Sequence, residues 1–165
     1  MQKFIRIAAG AILIGLCVWG WFILFPGPER VIRSRLKNLA VTASFRSNEG
    51  PLAKAYNSEK LGGFFSPDIV VFVDISGHGQ HTFEGRDIVL QAALAARQNF
   101  AELKVEFVDV NVKLSPDKQS ATVNLTAKCT VPNDSDFFPQ EMKFTFKKID
   151  GKWLISRAET VKTLS

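Results

Sequence analysis

The chain has 165 residues, enough for one domain and too few for two of ordinary size. Its composition, 46% hydrophobic and 22% charged, is that of a globular protein and excludes a disordered or low-complexity polymer. The formal net charge is +5, and the 19 basic and 16 acidic residues from position 26 onward leave +3. So small an excess gives no indication of a nucleic-acid-binding surface.

Residues 7–25 form a long uncharged apolar run that reads IAAGAILIGLCVWGWFILF. As a helix they cover roughly 28 Å, close to the hydrocarbon thickness of a bilayer. Trp19 and Trp21 lie near the far end, where amphipathic rings favour the membrane interface. Pro26 and Pro28 follow, and proline ends a helix. The segment therefore predicts a single transmembrane helix.

A cleaved signal peptide is the alternative to this retained anchor. Its apolar region would be shorter and a small-x-small cleavage site would follow, whereas FPGPER follows here. We predict an anchor over residues 1–28, with membrane contact through residues 4–25, and a domain over residues 29–165. Basic residues flank the span on both sides, so the positive-inside rule alone gives no orientation. The very short basic head is typical of a signal anchor, which places the domain on the non-cytoplasmic side, periplasmic or exterior.

Within the span, Ala11 and Gly15 form a small-x-x-x-small pair of the kind that seats a second helix. Such pairs are common by chance. A homodimer and a separate protein partner are therefore both left open.

The domain begins with a predicted helix over residues 29–46. Its apolar residues recur at i, i+4, i+7 and i+11, namely Ile32, Leu36, Leu39 and Ala43. A basic face is formed by Arg30, Arg33 and Lys37 at i, i+3 and i+7. Directly after a membrane span, such a face gains roughly 1 kcal/mol per charge from anionic headgroups. A merely solvated helix face accounts for the same spacing.

Pro51 suits the first turn of a second helix, which is predicted to end at Leu61 before two glycines. Residues 69–75, IVVFVDI, are apolar on both faces and predict a strand covered on both sides. A glycine-rich hairpin connection, residues 76–81, and a short strand follow. The alanine-rich segment 88–98 predicts a third helix, whose small side chains let it lie close to a sheet.

The remaining sequence has the two-residue period of β-strands. In the first of these strands the apolar set changes parity, since Leu103, Val105 and Phe107 are followed by Val108, Val110, Val112 and Leu114. A parity change inside one strand is what a β-bulge produces, and bulges bend sheets. Further strands are predicted around residues 121–131, 142–146 and 153–157. The aromatic residues predicted to lie in the core are Phe137, Phe138, Phe144, Phe146 and Trp153.

This order of elements predicts an α+β domain in which a curved antiparallel sheet wraps around three helices. Three segments carry a resemblance to a known family: FFSPDIVVFVD at 64–74, FEGRDIVLQAAL at 83–94 and KIDGKWLISRAE at 148–159. In them the chain resembles the nuclear transport factor 2-like superfamily of cone-shaped domains, which includes SnoaL-like cyclases and ketosteroid isomerase. The resemblance covers roughly residues 29–161. It is informative about the fold and poor for function, because the superfamily includes enzymes, carriers and scaffolds.

The resemblance implies a cavity between the sheet and the helices, so polar residues that face it are the candidate site residues. Asp74 is the first of them. It ends a very apolar strand, where burial would raise the pKa of its carboxyl toward that of a useful base. The general base of ketosteroid isomerase is an aspartate near the end of the corresponding strand, and Asp74 matches it with one residue of slippage. That enzyme also needs a tyrosine on its first helix, whereas Tyr56 lies on the second helix here. Alternatively, Asp74 caps the following turn.

Asp74, His78 and His81 together offer three metal ligands. HGQH is not an established ligand spacing, and the two glycines make the connection flexible. We therefore predict an exposed hairpin tip and no metal ion.

The last predicted strand contributes two further candidates, Arg157 and Glu159, which alternate with Trp153 and Ile155 and so are predicted to share their face. If that face lines the cavity, Arg157 binds an anionic ligand; otherwise Arg157 and Glu159 pair with neighbouring charges. Glu106 is left open in the same way. The candidate cavity residues are Asp74, Tyr56, Glu106, Arg157 and Glu159.

The sequence contains no nucleophile elbow, phosphate loop or cysteine cluster, and it predicts no cofactor. Our first hypothesis is a membrane-tethered, non-catalytic domain that binds a partner protein or a small apolar ligand. The alternative is an isomerase, dehydratase or cyclase that uses a cavity carboxylate as its general base. The two hypotheses differ in what the cavity contains.

Overall fold

The computed structural model of the protein describes residues 27–46, 48–75, 79–131 and 138–161. These residues form three helices and six strands. The bounds are α1 Pro28–Ala43, α2 Pro51–Gly62, β1 Phe65–Ile75, β2 Gly79–Glu84, α3 Arg86–Asn99, β3 Lys104–Leu114, β4 Ser120–Thr130, β5 Phe138–Ile149 and β6 Lys152–Thr160. The predicted membrane helix, within residues 4–25, lies outside the described ranges. None of the three helices within them is long and apolar enough to cross a membrane.

The first helix, α1, buries its predicted apolar stripe, with Ile32, Leu36 and Leu39 all at most 5% exposed. Its predicted end at residue 46 is wrong. The chain leaves the helix at Ser44 because Phe45 forms an isolated antiparallel bridge with Leu103, exchanging backbone hydrogen bonds of 2.9 and 3.0 Å. The segment after α1 therefore belongs to the edge of the sheet.

The six strands form one sheet in the order β2-β1-β6-β5-β4-β3. All neighbouring strands are antiparallel except β1 and β6, which are parallel. The last four strands follow one another as a meander. The helices and the inward side chains of the strands share one hydrophobic core, so the sheet curves around the helices as the sequence predicts. We call the helix-bearing side the concave face and the opposite side the convex face.

The bulge predicted in β3 is confirmed. The pairing of β3 with β4 shifts between Val108 and Asn111, and Asp109 has a φ angle of 55°. As a result Phe107 and Val110, three residues apart, both pack against the core. The extra residue bends the strand.

A second bulge, in β6, was not predicted from the sequence. Phe146 pairs with Ile155 while Thr145 pairs with Arg157, so Ser156 is the extra residue. Ile155 and the following Ser156 are both buried, and Arg157 is exposed. The predicted shared face of Trp153, Ile155, Arg157 and Glu159 is therefore wrong, because the bulge turns the later residues to the other side.

The aromatic core prediction is confirmed where the structure describes it. Phe144, Phe146 and Trp153 are 5%, 1% and 4% exposed. The prediction that β1 is covered on both sides is wrong in part, since residues 70–74 are only half-buried. Residues of both faces are affected, since Val71 and Val73 are as partly exposed as Val70 and Phe72.

Candidate functional site

A cavity of about 740 Å³ lies between α1 and β3, and we call it the α1–β3 groove. Its lining comprises Arg33, Lys37, Ala40, Val41, Ser44, Phe45, Arg46, Glu102, Leu103, Lys104, Val105, Glu106, Phe107 and Val110. The volume is within the range of pockets that bind small molecules. β3 is at the edge of the sheet formed by the described strands, and the groove runs along this edge.

Two polar contacts tie α1 to β3. Arg33 donates from Nη1 to the Val110 carbonyl at 2.8 Å, and the Val105 N–H donates to Ser44 Oγ at 2.9 Å. The two contacts are 11 residues apart along the helix, roughly 16 Å. They are five residues apart along the strand, again roughly 16 Å. Helix and strand therefore lie side by side over this length.

The wall of the groove is apolar and supported from behind. The Phe107 ring packs edge-to-face on Phe144, with centroids 5.7 Å apart. Phe45 is 6% exposed, and the Arg97 guanidinium lies over its ring at 4.9 Å from the centroid. Val110 reaches the same wall because of the bulge at Asp109. An apolar ligand would thus meet side chains whose positions are fixed by the core.

Arg97 places a buried charge beside the groove. It is 5% exposed and donates from Nη1 to Glu49 Oε2 and from Nη2 to the Thr42 carbonyl, both at 2.6 Å. Glu49 also accepts a hydrogen bond from Asn57. These contacts join α3 to the end of α1 and to the connection before α2. Sequence reasoning missed Arg97, since an arginine near the end of an alanine-rich helix looks like an ordinary solvated residue.

The groove has a basic rim. Arg33 pairs with Glu29 at 2.9 Å, and Lys104 pairs with Glu106 at 3.0 Å. Lys37 and Arg46 are exposed. Arg33 and Lys37 were predicted as part of a membrane-proximal basic face with Arg30, which is exposed and outside the groove. The structure thus divides that basic face between the groove and open solvent.

Asp74 lies at the end of β1 and not in the groove. Its N–H donates to Thr160 Oγ1 at 2.9 Å, and its Oδ2 accepts from Gln80 Nε2 at 3.0 Å. Gln80 is its partner in the β1–β2 hairpin. In the β1–β6 register, Phe72 is opposite Glu159, so the side-chain alternation places Asp74 on the same face as Glu159.

Arg157 and Glu159 lie on the convex face and pair with neighbouring charges. Glu159 contacts Lys143 at 2.8 Å and Arg157 at 2.7 Å. Two hydrogen bonds, the stronger effect from Lys143 and the weaker from Arg157, hold the pKa of the Glu159 carboxyl below its ordinary value. This network joins β5 and β6 on the side of the sheet away from the groove.

The other candidates are scattered. Tyr56 is 64% exposed on α2, outside the groove. Glu106 is in the groove, and its side chain is 50% exposed. His81 is exposed on β2, while His78 falls outside the described residues. Of the five candidate cavity residues, therefore, the structure places one in the groove.

Four polar groove residues were missed from the sequence, namely Ser44, Arg46, Glu102 and Lys104. All four lie next to the bridge between Phe45 and Leu103. In the sequence, the only trace of this bridge is that both residues are apolar, a phenylalanine after a helix and a leucine before a strand. No local pattern shows that these two residues meet.

Comparison with known proteins identifies the fold. A nuclear transport factor 2-like protein of unknown function from Pseudomonas putida KT2440 superposes with a TM-score of 0.61 at 12% identity, over 81% of this chain and 85% of that one. A candidate scytalone dehydratase from Novosphingobium aromaticivorans DSM 12444 gives a TM-score of 0.60 at 16% identity, over 82% and 84%. Aln2 from a Streptomyces species gives 0.63 at 12% identity, over 84% and 94%. No protein-family model matches the sequence, and no curated protein is significantly similar to it. At these identities the likeness shows the cone fold alone.

Proposed function

We propose that the domain is a non-catalytic binding module that holds a small, largely apolar molecule in the α1–β3 groove. The observation that carries this proposal is the groove itself, about 740 Å³ beside an apolar wall that the core supports. A groove of this volume with an apolar wall is the kind of surface that buries a small ligand. The predicted anchor within residues 4–25 would hold the module at a membrane, with the domain on the non-cytoplasmic side.

Binding is favoured over catalysis by the positions of the carboxylates. A general base must reach the substrate and be set in an environment that tunes it for proton transfer. Asp74, the base suggested by the sequence, is bonded to Gln80 on the convex face. Glu106 is in the groove, but its side chain is 50% exposed and is paired with Lys104. Neither carboxylate therefore has the setting that proton-transfer chemistry requires.

A dehydratase or isomerase is the second candidate function, because a partly buried carboxylate, Glu102, does line the groove. The structural likeness to a candidate scytalone dehydratase supports the same reaction class. In this alternative Glu102 would be the base. A bound molecule recovered from the Glu102→Gln variant would then differ in mass from that recovered from the wild-type protein, by water for a dehydratase. Identical molecules from both proteins would support binding without turnover.

The binding proposal is tested by closing the groove. Val41 lines it and is 68% exposed, so Val41→Trp places an indole at the mouth without entering the core. Leu52→Trp is the matched control, since Leu52 is 88% exposed on α2 and outside the groove. Full-length proteins are purified from native membranes into nanodiscs, and bound small molecules are compared by mass spectrometry.

We expect one class of small molecule to accompany the wild-type protein and Leu52→Trp and to be depleted from Val41→Trp. Equal recovery from all three proteins would contradict binding in the groove. If a protein partner is recovered instead of a small molecule, and this partner is lost in Val41→Trp alone, the scaffold function would replace the small-molecule proposal.

A further inference from the structure

The charges around the groove do not balance. Arg33 is offset by Glu29, and Lys104 is offset by Glu106. Lys37, Arg46 and Glu102 then remain among the groove residues, and none of them forms an ion pair in the described part of the chain. Two cations against one carboxylate leave one positive charge. This excess of positive charge along the groove favours anions over neutral or cationic molecules.

The backbone of β3 adds a hydrogen-bond donor inside the groove. Leu103 and the next-but-one residue, Val105, both direct backbone groups toward the α1 side, to Phe45 and to Ser44. Backbone groups of alternate residues in a strand point to the same side, so the N–H and C=O of Phe107, two residues after Val105, also face α1. Among the described strands, none pairs with β3 on that side. An N–H group therefore lies between the two contacts that tie α1 to β3.

The same geometry excludes a long peptide as the natural occupant. An added strand would need a run of free edge groups, but Val105 and Val110 are already bonded to Ser44 and Arg33. The two-residue period leaves the backbone groups of Phe107 between them, ahead of the bulge. The free edge thus suits a single acceptor group better than an extended chain.

Resting on the proposed binding function, we infer that the ligand of the groove is an amphipathic monoanion, of which a single-chain carboxylate is the simplest example. Lys37 and Arg46 take the anionic group at the rim, with the Phe107 N–H as a further donor. The apolar part lies along Phe45 and Val110. With Arg33 and Lys104 offset by Glu29 and Glu106, one positive charge remains at the rim and matches one negative charge on the ligand, whereas a phosphate monoester carries closer to two.

The test uses the full-length protein in nanodiscs of neutral lipid and three photoreactive probes of equal chain length. The probes are dodecanoate, dodecanol and dodecylamine, each with a diazirine at mid-chain, and labelled residues are mapped by tandem mass spectrometry. We expect the carboxylate to label the groove at about tenfold lower concentration than the alcohol, the difference typical of a charge-assisted hydrogen bond. The amine should label it least.

Lys37→Gln and Arg46→Gln should each remove most of the advantage of the carboxylate and leave labelling by the alcohol unchanged. Arg30→Gln is the matched control, because Arg30 is an exposed cation of the same helix that does not line the groove. Equal labelling by acid and alcohol, or an equal effect of Arg30→Gln, would overturn the anion inference while leaving the binding function intact. Absence of groove labelling by all three probes would overturn both.

Discussion

Replacing Arg97 with methionine is the perturbation whose effect on stability follows most directly from the structure. The side chains of Arg97 and Glu49 are 3% and 12% exposed and are 2.6 Å apart. The substitution leaves the Glu49 carboxylate buried with Asn57 as its remaining partner and removes the donor to the Thr42 carbonyl. Breaking one side of a buried ion pair costs about 3–5 kcal/mol. The retained Asn57 contact places our expectation at the lower end, about 3 kcal/mol.

Urea unfolding followed by circular dichroism, on a chain that starts at residue 27, measures this loss. A domain of this kind is stable by about 5–15 kcal/mol, so the variant should still fold. Its melting temperature should fall by about 10 °C. The double variant Arg97→Met/Glu49→Leu should regain most of the loss, because no uncompensated charge is left. A loss below about 1 kcal/mol, or a double variant no better than the single one, would refute the idea that this buried ion pair stabilises the junction of α3 with the segment before α2.

Four further expectations can be checked with the same domain or the full chain. Trp153→Ala should lower the free energy of unfolding by about 3–5 kcal/mol, since Trp153 is 4% exposed, and an unchanged urea midpoint would contradict the core assignment. Asp109→Val should destabilise by about 1–2 kcal/mol despite the strand preference of valine, because Asp109 has a φ angle of 55°, whereas Asp109→Gly should not. The ion pairs of Glu159 lower the pKa of its carboxyl and stabilise the fold at pH values above the ordinary pKa of 4.5; this stabilisation is lost as the pH falls through the lowered pKa of the folded state. Glu159→Gln should therefore flatten the loss of stability below about pH 4.5. An unchanged pH profile would argue against the ion pairs. Carbonate extraction should leave the full-length protein in the membrane fraction and release a variant lacking residues 7–25; a wild-type protein released by carbonate would refute the anchor.

The two bulges show why one part of the sheet could be predicted and another could not. In β3 the apolar set changes parity at Val108, so the bulge is visible as a change in the alternation of large side chains. In β6 the extra residue is Ser156, which is small enough to be buried at 7% exposure without interrupting the apolar pattern. A register change that leaves no trace in hydrophobicity cannot be predicted from that property. Arg157 and Glu159 were assigned to the wrong face for this reason.

The candidate site was harder to predict than the fold because it depends on which elements meet. Residue type drew attention to Asp74, but its side chain bonds to the neighbouring strand and lies away from the groove. Arg33 and Lys37 were selected for their place after the predicted membrane span, and the structure gives them a second setting beside β3. Arg46 and Glu102 carry no local signal, because their proximity results from the bridge between residues 45 and 103. The periodicity of a sequence predicts the faces of elements, and tertiary contacts decide which faces enclose a space.

The parallel pairing of β1 with β6 has a consequence for the order in which the chain folds during synthesis. Val70 and Arg157 are paired although 87 residues separate them. β1 therefore lacks one of its two neighbours until the last strand has left the ribosome, and closing so long a loop is slow. A nascent chain that stops before residue 152 would expose unpaired edges on both β1 and β5, which invite aggregation. Chaperone binding during translation should thus persist until β6 is complete, and premature termination in this region should give degraded protein rather than a shortened, stable domain.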